Sequence, residues 1–177
     1  MQTKRGTTLR KSAPKNTHQR AANSLLATAL AVIVIDCASK SLALRTLTTS
    51  PKEIIGTYLQ FQLTKNSGAA FSLAQSATIF LSLLSFLAIV AIFIFSKSIT
   101  SRPWGIALGL LLGGICGNLV DRTFRAPFLL HGQVIDWIRL PHWPVFNLAD
   151  TSIVVSAVTI AILLINDVKP RSRNDVP

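Results

Sequence analysis

The sequence predicts a membrane protein of mainly α class: a bundle of four transmembrane helices with a small β-sheet cradle on the extracytoplasmic side. Three observations carry this expectation. Half of the 177 residues are apolar and only 14% are charged, which is not the profile of a water-soluble domain. Four windows nearly free of charge each approach the ~20 residues that an α-helix needs to cross ~30 Å of hydrocarbon. Two polar segments between those windows carry short runs with the alternation of a strand.

Residues 1–22 form a basic tail, with Lys4, Arg5, Arg10, Lys11, Lys15 and Arg20 and no acid; such a segment has little to bury and is expected to be disordered. The first span covers about residues 23–44. Its apolar run is too long for a cleaved signal peptide, and Asp36 and Lys40 stand where small residues would mark the cut. Next comes a polar segment, Arg45 to Ser76, in which Tyr58 to Leu63 alternates and puts Leu59, Phe61 and Leu63 on one face. The second span, about residues 77–96, is joined to the third, about 104–122, by a short link holding Lys97 and Arg102. Gly105, Gly109, Gly113 and Gly117 recur every four residues along the third span and predict close approach of another helix. A second polar segment, Arg122 to Asp150, offers a shorter strand at Val134 to Ile138. Leu140-Pro141 and Trp143-Pro144 then favour a tight return. The fourth span, about residues 150–167, is followed by a second tail, residues 168–177. Residues 23–167 are thus one membrane domain.

Four spans put both tails and the short link on one side, and that side holds eleven of the eighteen Lys and Arg residues. The positive-inside rule makes it cytoplasmic. The net charge of +11 therefore reads as an orientation signal and a contact with anionic membrane lipids, not as a nucleic-acid arm, since the tail has no aromatic stacking residues. Cys37 and Cys116 fall inside spans without ligand-like neighbours and read as packing residues.

Polar groups gather at the outer ends of the spans: Asp36, Lys40, Asn118, Asp121, Arg122, Asn147 and Asp150. A charge at the bilayer centre costs roughly 2.5 to 3.5 kcal/mol, so a set collected in one leaflet asks for a purpose. Asp36 and Lys40, four apart on one helix face, can pair with each other. Asp136 and Asp150 meet if residues 138–146 turn back tightly. Two carboxylates held close share one proton, so the ionised member can activate water while the protonated one polarises a carbonyl. Asp150, at a helix N-terminus, suits the ionised role. Asp121 with Asp150 is the competing pair; Arg122 and Asn118 beside Asp121 favour for it a bonded, structural state. No His-Glu-x-x-His motif is present, and His18, His131 and His142 are scattered. A Ser/Lys dyad drawn from Lys65 with Ser67 or Ser72, or from Ser39 and Lys40, lacks the burial or the geometry it needs.

The blocks Asn66-Ser67-Gly68-Ala69-Ala70-Phe71, Gly117-Asn118-Leu119-Val120-Asp121-Arg122, Val134-Ile135-Asp136-Trp137 and Phe146-Asn147-Leu148-Ala149-Asp150 resemble, in that order, those of bacterial lipoprotein signal peptidase, also called signal peptidase II. Asp36 and Lys40 match the same pattern. The resemblance implies an intramembrane aspartic endopeptidase that removes the signal peptide from diacylglyceryl-modified prolipoproteins by cutting before the lipidated cysteine. It implies Asp136 and Asp150 as the catalytic pair. Supporting or substrate-binding roles are implied for Asp36, Lys40, Asn66, Gly68, Ala70, Phe71, Asn118, Asp121, Arg122 and Asn147, with no metal or cofactor. Trp137 departs from the pattern, which usually has Phe there, and the interval to Asp150 is shorter than in many members. The enzyme is expected to be a monomer in the bacterial inner membrane, both termini cytoplasmic and the site toward the outer leaflet. The rival reading is a small proton- or ion-coupled transporter, since intramembrane acids also mark ion pathways; the inverted repeats or midplane polar groups of such proteins are not evident.

Overall fold

The computed structural model describes residues 14–67, 74–127 and 129–171. In chain order these form α1 (Pro14–Thr46), β1 (Lys52–Ile55), β2 (Leu59–Asn66), α2 (Ala74–Ser96), α3 (Arg102–Phe124), β3 (Val134–Arg139) and α4 (Leu148–Ile165). All four helices are long and apolar enough to span a membrane. Gly68, Ala70 and Phe71 lie outside the described residues.

Helix α1 begins at Pro14, inside the basic segment expected to be disordered. Its 33 residues extend about 50 Å at 1.5 Å per residue, well beyond the hydrocarbon thickness. The surplus turns pack on the α2–α3 link, where His18 Nδ1 lies 2.8 Å from the Ile99 carbonyl oxygen. That link also meets the chain after α4: Thr100 and Ser101 donate their backbone N–H groups to Pro170 O at 3.0 and 3.1 Å, and Trp104 Nε1 donates to Val168 O at 2.7 Å. One end of the bundle therefore gathers the start of α1, the link and the end of α4, as an even number of spans requires.

The glycine stripe of α3 faces α1. A methyl group added at Gly109 would stand 2.6 Å from Leu25 O, at Gly113 2.6 Å from Val32 Cβ, and at Gly117 2.7 Å from Asp36 Oδ2; at Gly105 it would strike the Ala21 carbonyl. Hydroxyls join α4 to α3, with Ser156 Oγ donating to Ala107 O at 2.6 Å and Ser152 Oγ to Leu110 O at 3.1 Å. The outward surface is apolar, including Leu30, Phe80, Phe93, Val154 and Ile165, while Asp36, Lys40, Asn118, Asp121, Asp136 and Asn147 are buried. Such a distribution suits a lipid solvent, in which polar groups must satisfy one another inside the protein.

The sheet is three-stranded and antiparallel, in the order β1-β2-β3. β1 was not expected from the sequence, and β2 runs three residues past the predicted strand. The expected alternation in β2 is absent: Leu59 through Thr64 are all half-buried. A register shift between Phe61 and Thr64 re-phases the strand, as a bulge does.

Candidate active site

Strand β3 delivers Asp136. Its partner across the ladder is Thr64, and Asn66, two residues on, is the diagonal neighbour on the same face. Asn66 Nδ2 donates to Asp136 Oδ2 at 2.9 Å. The carboxylate is almost fully buried. Beyond β3 the chain makes the expected tight return: Phe146 exchanges hydrogen bonds with Ile138, its N–H donating to Ile138 O at 2.9 Å and its carbonyl accepting from Ile138 N at 2.8 Å. The return leads directly into α4.

Asn147 is the N-cap of α4 and forms a capping box with Asp150. Asp150 N donates to Asn147 Oδ1 at 2.9 Å, and Asn147 N donates to Asp150 Oδ2 at 3.2 Å. Asparagine and aspartate here take the places of the usual Ser/Thr and Glu/Gln. The cap also reaches sideways, since Asn147 Nδ2 donates to Asp136 Oδ1 at 2.6 Å. One side chain thereby touches both acids, and the two strand-borne and helix-borne carboxylates are drawn into one network.

Helix α3 supplies Asn118, whose Nδ2 donates to the other Asp150 oxygen at 2.8 Å. Its Oδ1 accepts from Asn147 Nδ2 at 3.2 Å and from Lys40 Nζ at 3.0 Å. Lys40 is fully buried and pairs with Asp36 Oδ2 at 2.7 Å and with Asp121 Oδ2 at 2.9 Å. Asp36 Oδ1 in turn accepts from Ala149 N at 2.9 Å, tying α1 to the first turn of α4.

Asp121 is ion-paired and hydrogen-bonded, but to other partners than Arg122 and Asn118. Besides Lys40, it pairs with Arg125 Nε and accepts from Ile135 N at 3.2 Å. Arg125 was missed; its place four residues along the helix from Asp121 was the available signal. Asn118 turns instead toward Asp150. Arg122 lies within electrostatic range of Asp150, Asp136 and Asp121, and its buried Nε has no hydrogen-bond partner among the described residues. Trp137 stacks edge-on against Phe61, ring centroids 5.0 Å apart.

Burial pushes the Asp136 carboxyl up to about 6, aided by the charge of Asp150 and opposed by the amides of Asn66 and Asn147 and by Lys40. Desolvation wins because donors stabilise an anion only locally, whereas burial removes its whole hydration shell. An acid of this kind, beside a second carboxylate whose two oxygens are held by N–H donors, can exchange a proton near neutral pH. Ser39 Oγ donates to Asp36 O at 2.9 Å and Lys40 is spent on two acids, so the Ser39/Lys40 pairing is not formed. Lys65 is exposed, without the burial a basic nucleophile partner would need.

Comparison with known proteins adds an independent line. The family model described as Signal peptidase (SPase) II matches residues 28–166. A lipoprotein signal peptidase of Mycobacterium avium is 41% identical over 155 residues, covering 87% of this chain and 85% of the relative. One from Streptomyces coelicolor is 42% identical over 160 residues, covering 89% and 78%. One from Mycobacterium tuberculosis is 43% identical over 142 residues, covering 80% and 70%. Among solved structures, a bacterial membrane enzyme determined at 1.9 Å superposes with a TM-score of 0.72 at 25% identity, covering 82% of this chain and 94% of that one.

Proposed function

Because the chain belongs to the signal peptidase II family, and so is an aspartic endopeptidase that removes signal peptides from lipoprotein precursors in the bacterial inner membrane, we propose that Asp136 and Asp150 are its catalytic pair. The observation that carries this assignment is Asn147, which donates to Asp136 through its side chain and to Asp150 through its backbone. Asp121 is the poorer candidate, since a cation on either side, Lys40 and Arg125, holds it in an ion pair. The transporter reading has no place in this family.

In the proposed reaction Asp150 is the ionised member. It takes a proton from water as the oxygen attacks the scissile carbonyl, and protonated Asp136 donates a hydrogen bond to the carbonyl oxygen as charge develops there. Asp150 then returns its proton to the leaving nitrogen, the C–N bond breaks, and the products are the signal peptide carboxylate and a free amine on the lipidated cysteine. Asn66, Asn118 and Asn147 keep the two carboxylates in place, and Arg122 faces them as a cation for the substrate backbone. Asp36 and Lys40 brace α1 against the site. For Gly68, Ala70 and Phe71, which follow Asn66 in the same sequence block, the proposed role is substrate contact. The diacylglyceryl group keeps the substrate in the bilayer, so its bond arrives at the outer leaflet; the basic end of the bundle, with both termini, faces the cytoplasm. The protein acts as a monomer in contact with membrane lipids.

The test is incubation of the purified protein with a diacylglyceryl-modified prolipoprotein. Wild-type protein releases the signal peptide, while Asp136→Asn and Asp150→Asn each lose cleavage by at least 1000-fold and still fold in the membrane. Turnover near the wild-type rate in either folded variant would refute the pair.

A further inference from the structure

We propose that Lys40 is a positioning residue: it sets the orientation of the Asn118 amide and through it presents a hydrogen-bond donor to Asp150. This rests on the reading of Asp136 and Asp150 as the reacting pair. Lys40 has no exposed side-chain surface, and its ammonium meets three acceptors, Asp36 Oδ2 at 2.7 Å, Asp121 Oδ2 at 2.9 Å and Asn118 Oδ1 at 3.0 Å. An ammonium has three hydrogens and no lone pair, so every group that meets it must accept. Asn118 can meet it only through oxygen. The amide is planar, so its NH2 then falls on the side of Asp150 Oδ1, 2.8 Å away.

An amide is nearly symmetric in shape, and packing alone does not choose between its two orientations. Flipped, Asn118 would set its oxygen against the Asp150 carboxylate and its NH2 against the ammonium. Lys40 removes that state. The same Asn118 oxygen also accepts from Asn147 Nδ2 at 3.2 Å, in agreement with the direction that Asp136 at 2.6 Å and the Asp150 N–H at 2.9 Å give the second amide. The direction of Asn118 thus comes from a buried cation on one side, matched to the carboxylate acceptor it meets on the other. Lys40 itself cannot swing away, since Asp36, one helical turn earlier, and Asp121 grip it from α1 and α3.

The experiment compares two charge-balanced variants of the full chain in detergent micelles, Asp36→Asn/Lys40→Gln and Asp36→Asn/Lys40→Met. Both leave the Asp121–Arg125 pair in place. Glutamine can still donate to Asn118 and methionine cannot. The expected result is a kcat at least tenfold lower for the methionine variant than for the glutamine variant, with KM for the modified prolipoprotein within threefold and similar Tm. Equal kcat values for the two folded variants would overturn the proposal. If the methionine variant does not fold, Asp36→Asn/Lys40→Leu takes its place beside Asn118→Ala, which leaves the ion cluster whole: a tenfold or greater loss of kcat at unchanged KM in both supports the relay, and wild-type kcat in either overturns it. Turnover retained by Asp150→Asn would instead sink the catalytic pair, whereas an inactive Asp150→Asn beside equal glutamine and methionine rates sinks the relay alone.

Discussion

At the scale of single residues, Asp136 is governed by a contest between burial and donation. Two amides favour its anion, yet its carboxyl stands at about 6, because few hydrogen bonds replace a full shell of water. If the protonated form polarises the substrate carbonyl, kcat/KM falls as pH rises through that value, about tenfold per unit once well above it. A pH profile of cleavage measures this. Asn66 Nδ2 donates to Asp136 and so lowers its proton affinity. Asn66→Ala is therefore expected to move the alkaline limb of the profile to higher pH, and an unmoved or lowered limb would count against Asp136 as the acid. Of the site residues, Asp36, Lys40, Asn118, Asp121, Arg122, Asn147 and Asp150 were legible in the sequence as costly polar groups at the ends of apolar runs, Asp136 as an acid on a short strand, and Asn66 only through the family resemblance. Their pairing was not: that Asn118 serves Asp150, and that Arg125 serves Asp121, depends on which helix faces meet.

Among the elements, α3 is the one whose sequence states its packing most openly. Its glycines let α1 approach until a Cβ at Gly109 would lie 2.6 Å from a backbone carbonyl oxygen, an approach that other residues forbid. This closeness is what lets Lys40 on α1 reach Asn118 and Asp121 on α3. Gly109→Ala is expected to force the helices apart and cost about 1–3 kcal/mol, the usual penalty of overpacking, seen as a lower Tm in micelles together with reduced cleavage. An unchanged Tm would show that the contact is not tight. The sheet was less legible. Alternation at residues 59–63 pointed to a strand, but the register shift after Phe61 is set by pairing with β3, and no local pattern in β2 announces it.

The whole molecule is apolar outside and polar within. Leu30, Phe80 and Ile165 are exposed while Asp36 and Lys40 have no accessible surface, the arrangement a bilayer demands. The proposed orientation places Trp143, beyond β3, outside the cell: in a background lacking Cys37 and Cys116, Trp143→Cys is expected to react with a membrane-impermeant maleimide on intact cells, while a cysteine at Ser98 reacts only after permeabilisation. The reverse pattern would invert the topology. By itself, the chain's long apolar runs determined four spans, and its uneven distribution of Lys and Arg determined the expected orientation, because transfer into lipid is a sum over residues of one segment at a time. The order of its polar blocks pointed to the family. Only the tertiary structure decided which carboxylate is ion-paired and which is left with neutral donors, since hydrogen bonds are short and directional and these join residues up to 113 positions apart, brought together by packing that no single segment encodes.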